Sequence, residues 1–530
     1  MVITFLPVNK KIETVSGVSV EAAAVKAGIE TGAVCNGRGT CGKCKVMVTK
    51  GNDRLYTGEE LKYLTDEERE RGFRLACCFS PLEDTCVIIN KQTYESETFT
   101  LGGIERDIKG PNSKESYGVV LDIGTTTLEA ILYHINSGQP VLSKGMLNPQ
   151  RIYGGDVVSR ITYSLAEEKN TESLQNILLK ACNKLINELA SQYGINVNTI
   201  KRAAIAGNTT MTGLFLGRSL QKLSRAPFQQ DSYKGVTLTA REVGVNIQET
   251  GSVFIMPGIG GHVGGDTMGC ILSTRLYKEK RKILLMDIGT NGEMVLCNGG
   301  RLTACSTAAG PAFEGGNISC GMRAENGAIT SAKMVDGKLE LHYIGEEDER
   351  ISPTGICGSG IIECIFELYT NHSIDETGRL LGTAGDENLY RIWKRDREEI
   401  ILTQKDIREF QLATGAIKAG IALLLQEAGL QAQELDKVYL AGNFGSKLSV
   451  TKAIGVGLLP EVREENIEYI GNGALAGSAK LLLQEITLDE AEAISQKVLH
   501  LDLSGKETFE EEFIKALSFP VIKKTEPSPQ

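Results

Sequence analysis

The chain has 530 residues, 41% hydrophobic and 23% charged, with a net charge of −10. That length asks for several domains, each with its own core, and the acidic balance argues against nucleic acid, whose binders present a basic face. No apolar run approaches the ~20 residues that cross a bilayer, and the opening MVITFLPVNKKIETV turns polar too soon for a secretory signal core, so a cytoplasmic protein without a membrane partner is expected.

Residues 1–90 read as a small β-rich unit. VITFLPV and KIETVS suggest a hairpin, SVEAAAVKAG has helical spacing, and CKVMVTKG and CVIINK look extended. The charged GEELKYLTDEERERG between them is expected to be helical in part. Six of the thirteen cysteines lie in the first 86 residues, which is unusual for a compartment where structural disulfides are rare. Cys35, Cys41 and Cys44 stand in the glycine-rich CNGRGTCGKC with C-x₅-C-x₂-C spacing, and Cys77 and Cys78 follow in RLACCFS. Glycines permit backbone turns that side chains would block, so several thiolates can converge there on one soft metal centre. A C-x₂-C pair alone also admits zinc or a redox dithiol. The nearby GRGTCGKC imitates a phosphate-binding P-loop, but a cysteine holds the hydroxyl position and no strand-to-helix context is predicted.

The whole cysteine arrangement resembles the adrenodoxin-like branch of the β-grasp [2Fe–2S] ferredoxins. The resemblance implies Cys35, Cys41, Cys44 and Cys77 as cluster ligands, with Cys78 the next choice for the fourth. Cys86, on a strand, reads as a small core residue.

Residues 91–116 are polar, carry Gly-Gly and Gly-Pro, and lack an apolar period. They read as a linker, and a flexible chain of that length reaches roughly 25 Å. Residues 117–522 form the remainder, with lobes at about 117–280 and 281–485, before a disordered tail at 523–530.

VVLDIGTTTLEAIL and ILLMDIGTNGEMVL place the same Asp-Ile-Gly-Thr at Asp122 and Asp287. Around each copy run strand, loop, strand, turn and strand, so two related lobes are predicted. Gly-Thr after a strand turns backbone N–H groups toward an anion, and threonine hydroxyls add donors. An aspartate there repels phosphate unless Mg²⁺, often through water, lies between them. The two loops resemble the phosphate-1 and phosphate-2 loops of the ASKHA superfamily, with its ribonuclease H-like, actin- and Hsp70-like fold. AAIAGNTTMTGLFLG looks like the first connecting segment, VYLAGNFGSKL like the adenosine loop, and GNGALAGSAKLLL like the second connecting helix. Asp122 and Asp287 are then the catalytic pair. The nucleotide would be bound by Gly124, Thr125, Thr126, Asn208, Gly289, Thr290, Asn291, Gly358, Gly442 and Asn443. PGIGGHVGGD and TGICGSGII suit nucleotide or interdomain contact, and His262 reads as a loop histidine. Cys182, Cys270, Cys297, Cys305, Cys320, Cys357 and Cys364 lack ligand spacing and read as buried small residues.

A ferredoxin unit joined to such an ATPase closely resembles the RACo-like reductive activators of corrinoid-dependent methyltransferases. LDIGTTT, NPQRIYGGDVVSRI, AGNTTM, MDIGTNGE, GICGSGII and LAGNFG all fit that family. Membership implies ATP-dependent one-electron reduction of a corrinoid protein from Co(II) to Co(I). It also implies a [2Fe–2S] cluster, ATP and Mg²⁺, a low-potential donor such as a ferredoxin or flavodoxin-like protein, and room for a homodimer. The chain is short of the extra domain expected between linker and ATPase. It has no cysteine after Cys364, which separates it from corrinoid activators with C-terminal 4Fe–4S clusters. Two alternatives stand beside this: an electron-delivering activator of a radical dehydratase, and an Hsp70-like ATPase whose cluster only senses redox state. Loss of Co(II) absorbance in a corrinoid partner separates them.

Overall fold

Val2–Leu6 (β1), whose buried Ile3 and Phe5 alternate with half-buried neighbours, and Lys10–Glu13 (β2) pair antiparallel as expected. The structure is a computed structural model that describes residues 1–33, 37, 39, 42–52, 54–89, 98–99, 116–230, 233–348, 350–381, 388–396, 398–442, 448–504 and 506–521. Cys35, Cys41, Asn443, most of the linker and the 523–530 tail lie outside these residues. The chain divides into two compact units: Met1–Ala203 with Thr210–Ser224 and Leu238–Val253, and Ala204–Thr209 with Arg225–Thr237 and Phe254–Gln530.

In the first unit, Lys45–Lys50 (β3), Phe73–Leu75 (β4) and Thr85–Ile88 (β5) complete a five-stranded sheet ordered β2-β1-β5-β3-β4. β1 and β5 run parallel. The Val20–Ala27 helix starts where Ser19 Oγ accepts the Ala22 N–H at 3.1 Å, and stops at Gly28 in the left-handed conformation, φ 63°. Its buried residues Val20, Ala23, Ala24 and Ala27 follow the i, i+3, i+4, i+7 pattern of a single face. They join Ile3, Phe5, Val46, Leu75, Phe79 and Val87 in one core, giving the expected β-grasp arrangement. The charged segment forms two short helices, Gly58–Tyr63 and Asp66–Glu70, each opened by a threonine capping box.

A second sheet holds Thr98–Phe99 (β6), Tyr117–Ile123 (β7), Thr127–His134 (β8), Gln139–Leu147 (β9), Ile200–Ala206 (β10), Val236–Thr239 (β11) and Ser252–Ile255 (β12). Its order is β11-β12-β10-β7-β8-β9-β6. β6 was not foreseen: two residues of the expected linker pair antiparallel with Met146 and Gly145 at the β9 edge.

The second unit repeats the plan with Ile283–Ile288 (β13), Gly292–Asn298 (β14) and Arg301–Thr307 (β15). Two small sheets follow, Ala328–Val335 (β16), Lys338–Tyr343 (β17) and Gly355–Ile356 (β18), then Leu389–Arg395 (β19) and Glu398–Thr403 (β20). Lys437–Ala441 (β21), Ile467–Gly471 (β22) and Leu499–His500 (β23) finish the main sheet, ordered β22-β21-β13-β14-β15-β23. β13 is buried along Ile283, Leu284, Leu285 and Met286, the unbroken apolar run of a central strand covered on both faces. In both sheets the second strand lies between the first and third, and the first strand also borders a later one. This is the duplicated ribonuclease H-like order that the repeat predicts.

The Gly265–Thr274 and Gly473–Leu482 helices cross with almost nothing between their backbones. A methyl group on Gly477 would lie 2.1 Å from Gly269 O, and one on Gly269 would lie 2.8 Å from Ala474 Cα. The segment that meets the second connecting helix is therefore Gly265–Thr274, and the expectation that placed the first connecting segment at AAIAGNTTMTGLFLG is corrected. That stretch instead forms β10 and the Thr209–Phe215 helix.

Candidate functional site

The segment that leads into Cys77 rests on a buried ion pair. Arg74 and Glu60 are both essentially unexposed, and they meet through two hydrogen bonds of 2.8 Å. The remaining guanidinium hydrogens go to Asn52 Oδ1 and to the carbonyls of Arg54 and Leu55, and the charge lies over the Tyr56 and Phe79 rings. Glu60 also accepts the Leu75 N–H at 3.1 Å. Its carboxyl stays below the usual range: burial opposes this, but Arg74 and the backbone donors outweigh it. Removing one partner of such a pair costs about 3–5 kcal/mol. The pair fixes Arg74-Leu75-Ala76 and hence the entry to Cys77. Spacing alone does not disclose it, because Glu60 sits in a charged run that reads as exposed.

Beyond that support, Cys44 is buried and its sulfur lies 3.3 Å from Cys77 Sγ, while Cys77 and Cys78 are 3.6 Å apart. Burial raises the Cys78 thiol above its ordinary range. Gly42, at φ 65°, leaves no room for a side chain, since a methyl group there would lie 2.6 Å from the Tyr63 ring. Two thiols therefore converge beside a loop built from glycine, and the residues present fit a thiolate-held centre. The Gly42–Cys44 end of the imitation P-loop runs into β3 and not into a helix, so it lacks the context for phosphate. Cys86 is half-buried on β5.

On the first hairpin, Asp122 ends β7 opposite Glu129 of β8. The loop between them is braced from beneath. Asn148 Nδ2 donates to Gly124 O at 2.9 Å, the Asn148 N–H donates to Thr126 O at 2.9 Å, and the buried Arg160 donates to Thr125 O. Planar trans peptides then point the following N–H groups away from the brace, as an anion-binding turn requires. Gly124 itself is needed, because a methyl group there would meet Thr127 O at 2.6 Å. The brace explains NPQRIYGGDVVSRI: Asn148 caps the Pro149–Tyr153 turn, Asp156 caps the Val157–Ala166 helix, and Arg160 lies within that helix. Arg151 of the same turn forms an ion pair with Glu30, just beyond the first helix.

On the second hairpin, Asp287 stands opposite Glu293, so the internal repeat extends across the turn to a second carboxylate. Gly289, Thr290 and Asn291 form the turn. Thr290 Oγ1 donates to Glu314 Oε1 at 2.7 Å, and the Asn291 side chain hydrogen-bonds Glu293. Gly442 borders the same place: its φ is 88°, and a methyl group on it would lie 3.0 Å from Asp287 Oδ1. The start of the Gly265–Thr274 helix brings in Asp266, whose N–H bonds Gly207 O. Asn208 adjoins that turn so closely that a methyl group on Gly264 would reach within 2.5 Å of its Cα. Asp266 is pushed up to about 7, first by burial and then by Asp287. Glu293 is raised well above the carboxylate range by burial, Asp266 and Asp287. Two carboxylates that resist ionising beside Asp287 favour positive charge among them.

Asp287, Gly289, Thr290, Asn291, Asn208 and Gly442 are thus gathered around one acidic cluster. Asp122, Gly124, Thr125 and Thr126 form the first hairpin, in the other unit. Gly358 begins the Gly358–Thr370 helix on the small β16-β17-β18 sheet, where a methyl group on the neighbouring Gly360 would strike Ile329 O at 2.1 Å. Asp266, Glu293 and Glu314 were missed. The signals were GGD ahead of a helix and the glutamate that follows each Asp-Ile-Gly-Thr. His262 packs on the Phe228 ring in its loop, as expected. Cys182, buried and pushed up to about 12, behaves as a core residue, while Cys320 is only half-buried.

A cysteine-lined β-grasp unit joined to a duplicated acidic-hairpin fold defines an iron–sulfur protein of the ASKHA ATPase class. Residues 3–82 match the 2Fe-2S iron-sulfur cluster binding domain, 117–279 the RACo middle region, and 281–529 the C-terminal domain of RACo, the ASKHA domain. The middle region begins at the first hairpin, so the expectation that a domain is missing between linker and ATPase is corrected: the stretch read as the first lobe is that region. The chain is 33% identical over 451 residues to the corrinoid activation enzyme RamQ of Eubacterium limosum, covering 79% of this chain and 75% of that protein. It is 25% identical over 440 residues to the [Co(II) methylated amine-specific corrinoid protein] reductase of Methanosarcina barkeri, covering 76% and 77%. A solved reductive activator for corrinoid, iron–sulfur protein superposes with a TM-score of 0.70 at 30% identity, over 98% of each chain. The chain belongs to the RACo family of corrinoid activators.

Proposed function

We propose that this protein is an ATP-dependent reductive activator that returns a corrinoid protein from Co(II) to Co(I) by delivering one electron. The observation that carries it is the presence, in one chain, of paired thiols on a ferredoxin fold and a duplicated acidic hairpin with Gly442 adjoining its second copy. When bound, a [2Fe–2S] cluster supplies a one-electron carrier, and magnesium nucleotide supplies the energy for an uphill transfer. Cys35, Cys41, Cys44 and Cys77 hold the cluster, Cys77 being preferred to Cys78 for its 3.3 Å approach to Cys44. Asp122 and Asp287 hold hydrated Mg²⁺, assisted by Asp266 and Glu293. That contact is through water, as an aspartate beside phosphate is tolerated when Mg²⁺ lies between them. Gly124, Thr125, Thr126, Gly289, Thr290 and Asn291 bind phosphates, while Asn208, Gly358, Gly442 and Asn443 line the rest of the nucleotide. The electron donor is a low-potential ferredoxin or flavodoxin-like protein.

The test is anaerobic reduction of a Co(II) corrinoid protein, followed by loss of Co(II) absorbance with and without ATP. The rate should depend on ATP. Asp287→Ala should lower hydrolysis about 10²–10³-fold, the range for losing a preorganised polar group, with the cluster's visible spectrum intact. Reduction indifferent to ATP, or normal hydrolysis by Asp287→Ala, would overturn the assignment.

A further inference from the structure

Cys270 stands four residues after Asp266 on the Gly265–Thr274 helix, so the two side chains leave one face a turn apart. Its thiol is fully buried and donates to Asp287 Oδ2 at 3.7 Å. The other oxygen, Oδ1, faces Gly442. The same sulfur would lie 2.6 Å from a methyl group on Gly473, in the crossing helix. One thiol therefore touches the end of β13 and both connecting helices. The terminal torsion of an aspartate is broad and nearly two-fold, so a donor on one oxygen decides which way the carboxylate faces.

We propose that Cys270 is a positioning residue for the nucleotide reaction, its S–H holding Asp287 with Oδ1 turned toward Gly442. This rests on the β13–β14 loop being the nucleotide site. The full-length protein with its cluster is assayed as wild type, Cys270→Ala, Cys270→Ser and Asp287→Ala. The readouts are ATP hydrolysis against Mg²⁺ concentration, ADP binding without Mg²⁺, and thermal melting. Cys270→Ala should raise the Mg²⁺ needed for half-maximal hydrolysis at least threefold and leave Mg²⁺-free ADP binding unchanged, and Cys270→Ser should recover most of the loss. A space-filling thiol predicts instead that serine is no better than alanine and that the Mg²⁺ requirement is unmoved, which would overturn the proposal. Normal hydrolysis by Asp287→Ala defeats the nucleotide assignment itself, whereas an inactive Asp287→Ala beside an unmoved Cys270→Ala defeats only the positioning role. Should Cys270→Ala not fold, the S–H infrared band missing from Cys270→Ser must shift when Mg²⁺ and ATP are added to wild type. A stationary band overturns the proposal.

Discussion

At the scale of single residues, the second hairpin concentrates acids that differ in how readily they ionise. Asp266 titrates near 7, against 3.8 ordinarily, because burial and Asp287 disfavour its charge. From about pH 4 to about 7, therefore, an unfolded chain has released a proton that the folded one keeps. The sign follows: stability of the cation-free protein falls as pH rises through that window and levels off above it. Asp266→Asn should flatten this slope, leaving the part that the raised Glu293 contributes, and Mg²⁺ with ATP should raise the wild-type melting temperature more at pH 8 than at pH 6. Calorimetry of both proteins across this range checks it, and parallel curves would contradict the assignment. Asp287 was legible because Asp-Ile-Gly-Thr repeats and has a direct chemical reading. Asp266 was not, since it reaches the cluster from a different helix, and a lone Gly-Gly-Asp says nothing of what it will face. Glu293 was hidden at the head of the apolar run Met294–Cys297, where it reads as the polar start of a strand.

Elements carry a different lesson. The two hairpins could be read in full, because strand, turn and strand recur and each central strand is a continuous apolar run. The helix crossing could not: Gly269, Gly473 and Gly477 are single small residues until the fold presses their backbones together. Overpacking costs typically 1–3 kcal/mol, and at Gly477 the obstacle is the Gly269 carbonyl, which cannot rotate aside. Gly477→Val should therefore lower the melting temperature and abolish ATP hydrolysis while the cluster's absorbance persists. Gly58→Ala, with nothing within 4 Å, should leave all three unchanged. Short elements such as β4, three residues long, escaped notice because no periodicity can be judged over so few positions. The Arg74–Glu60 pair escaped for a related reason, since its burial is created by Tyr56 and Phe79 folding over it.

At the scale of the whole molecule, electron delivery depends on how far the cysteine-bearing fold can travel. The polar segment before the first hairpin suggested one tether of some twenty residues. The pairing of Thr98 and Phe99 with the β9 edge divides it. Inserting four Gly-Ser residues between Ile89 and Thr98 should change the rate of corrinoid reduction and leave hydrolysis unaltered, as parallel assays of the two activities would reveal. The same pairing sets an upper bound on a distance. Nine peptide steps from Thr98 back to Ile89 extend at most about 30 Å. While that short strand stays docked, Ile89 lies within that distance of Thr98, and the Arg151–Glu30 ion pair binds the iron–sulfur module to the sheet of the first hairpin, so a corrinoid further off must itself come to the electron.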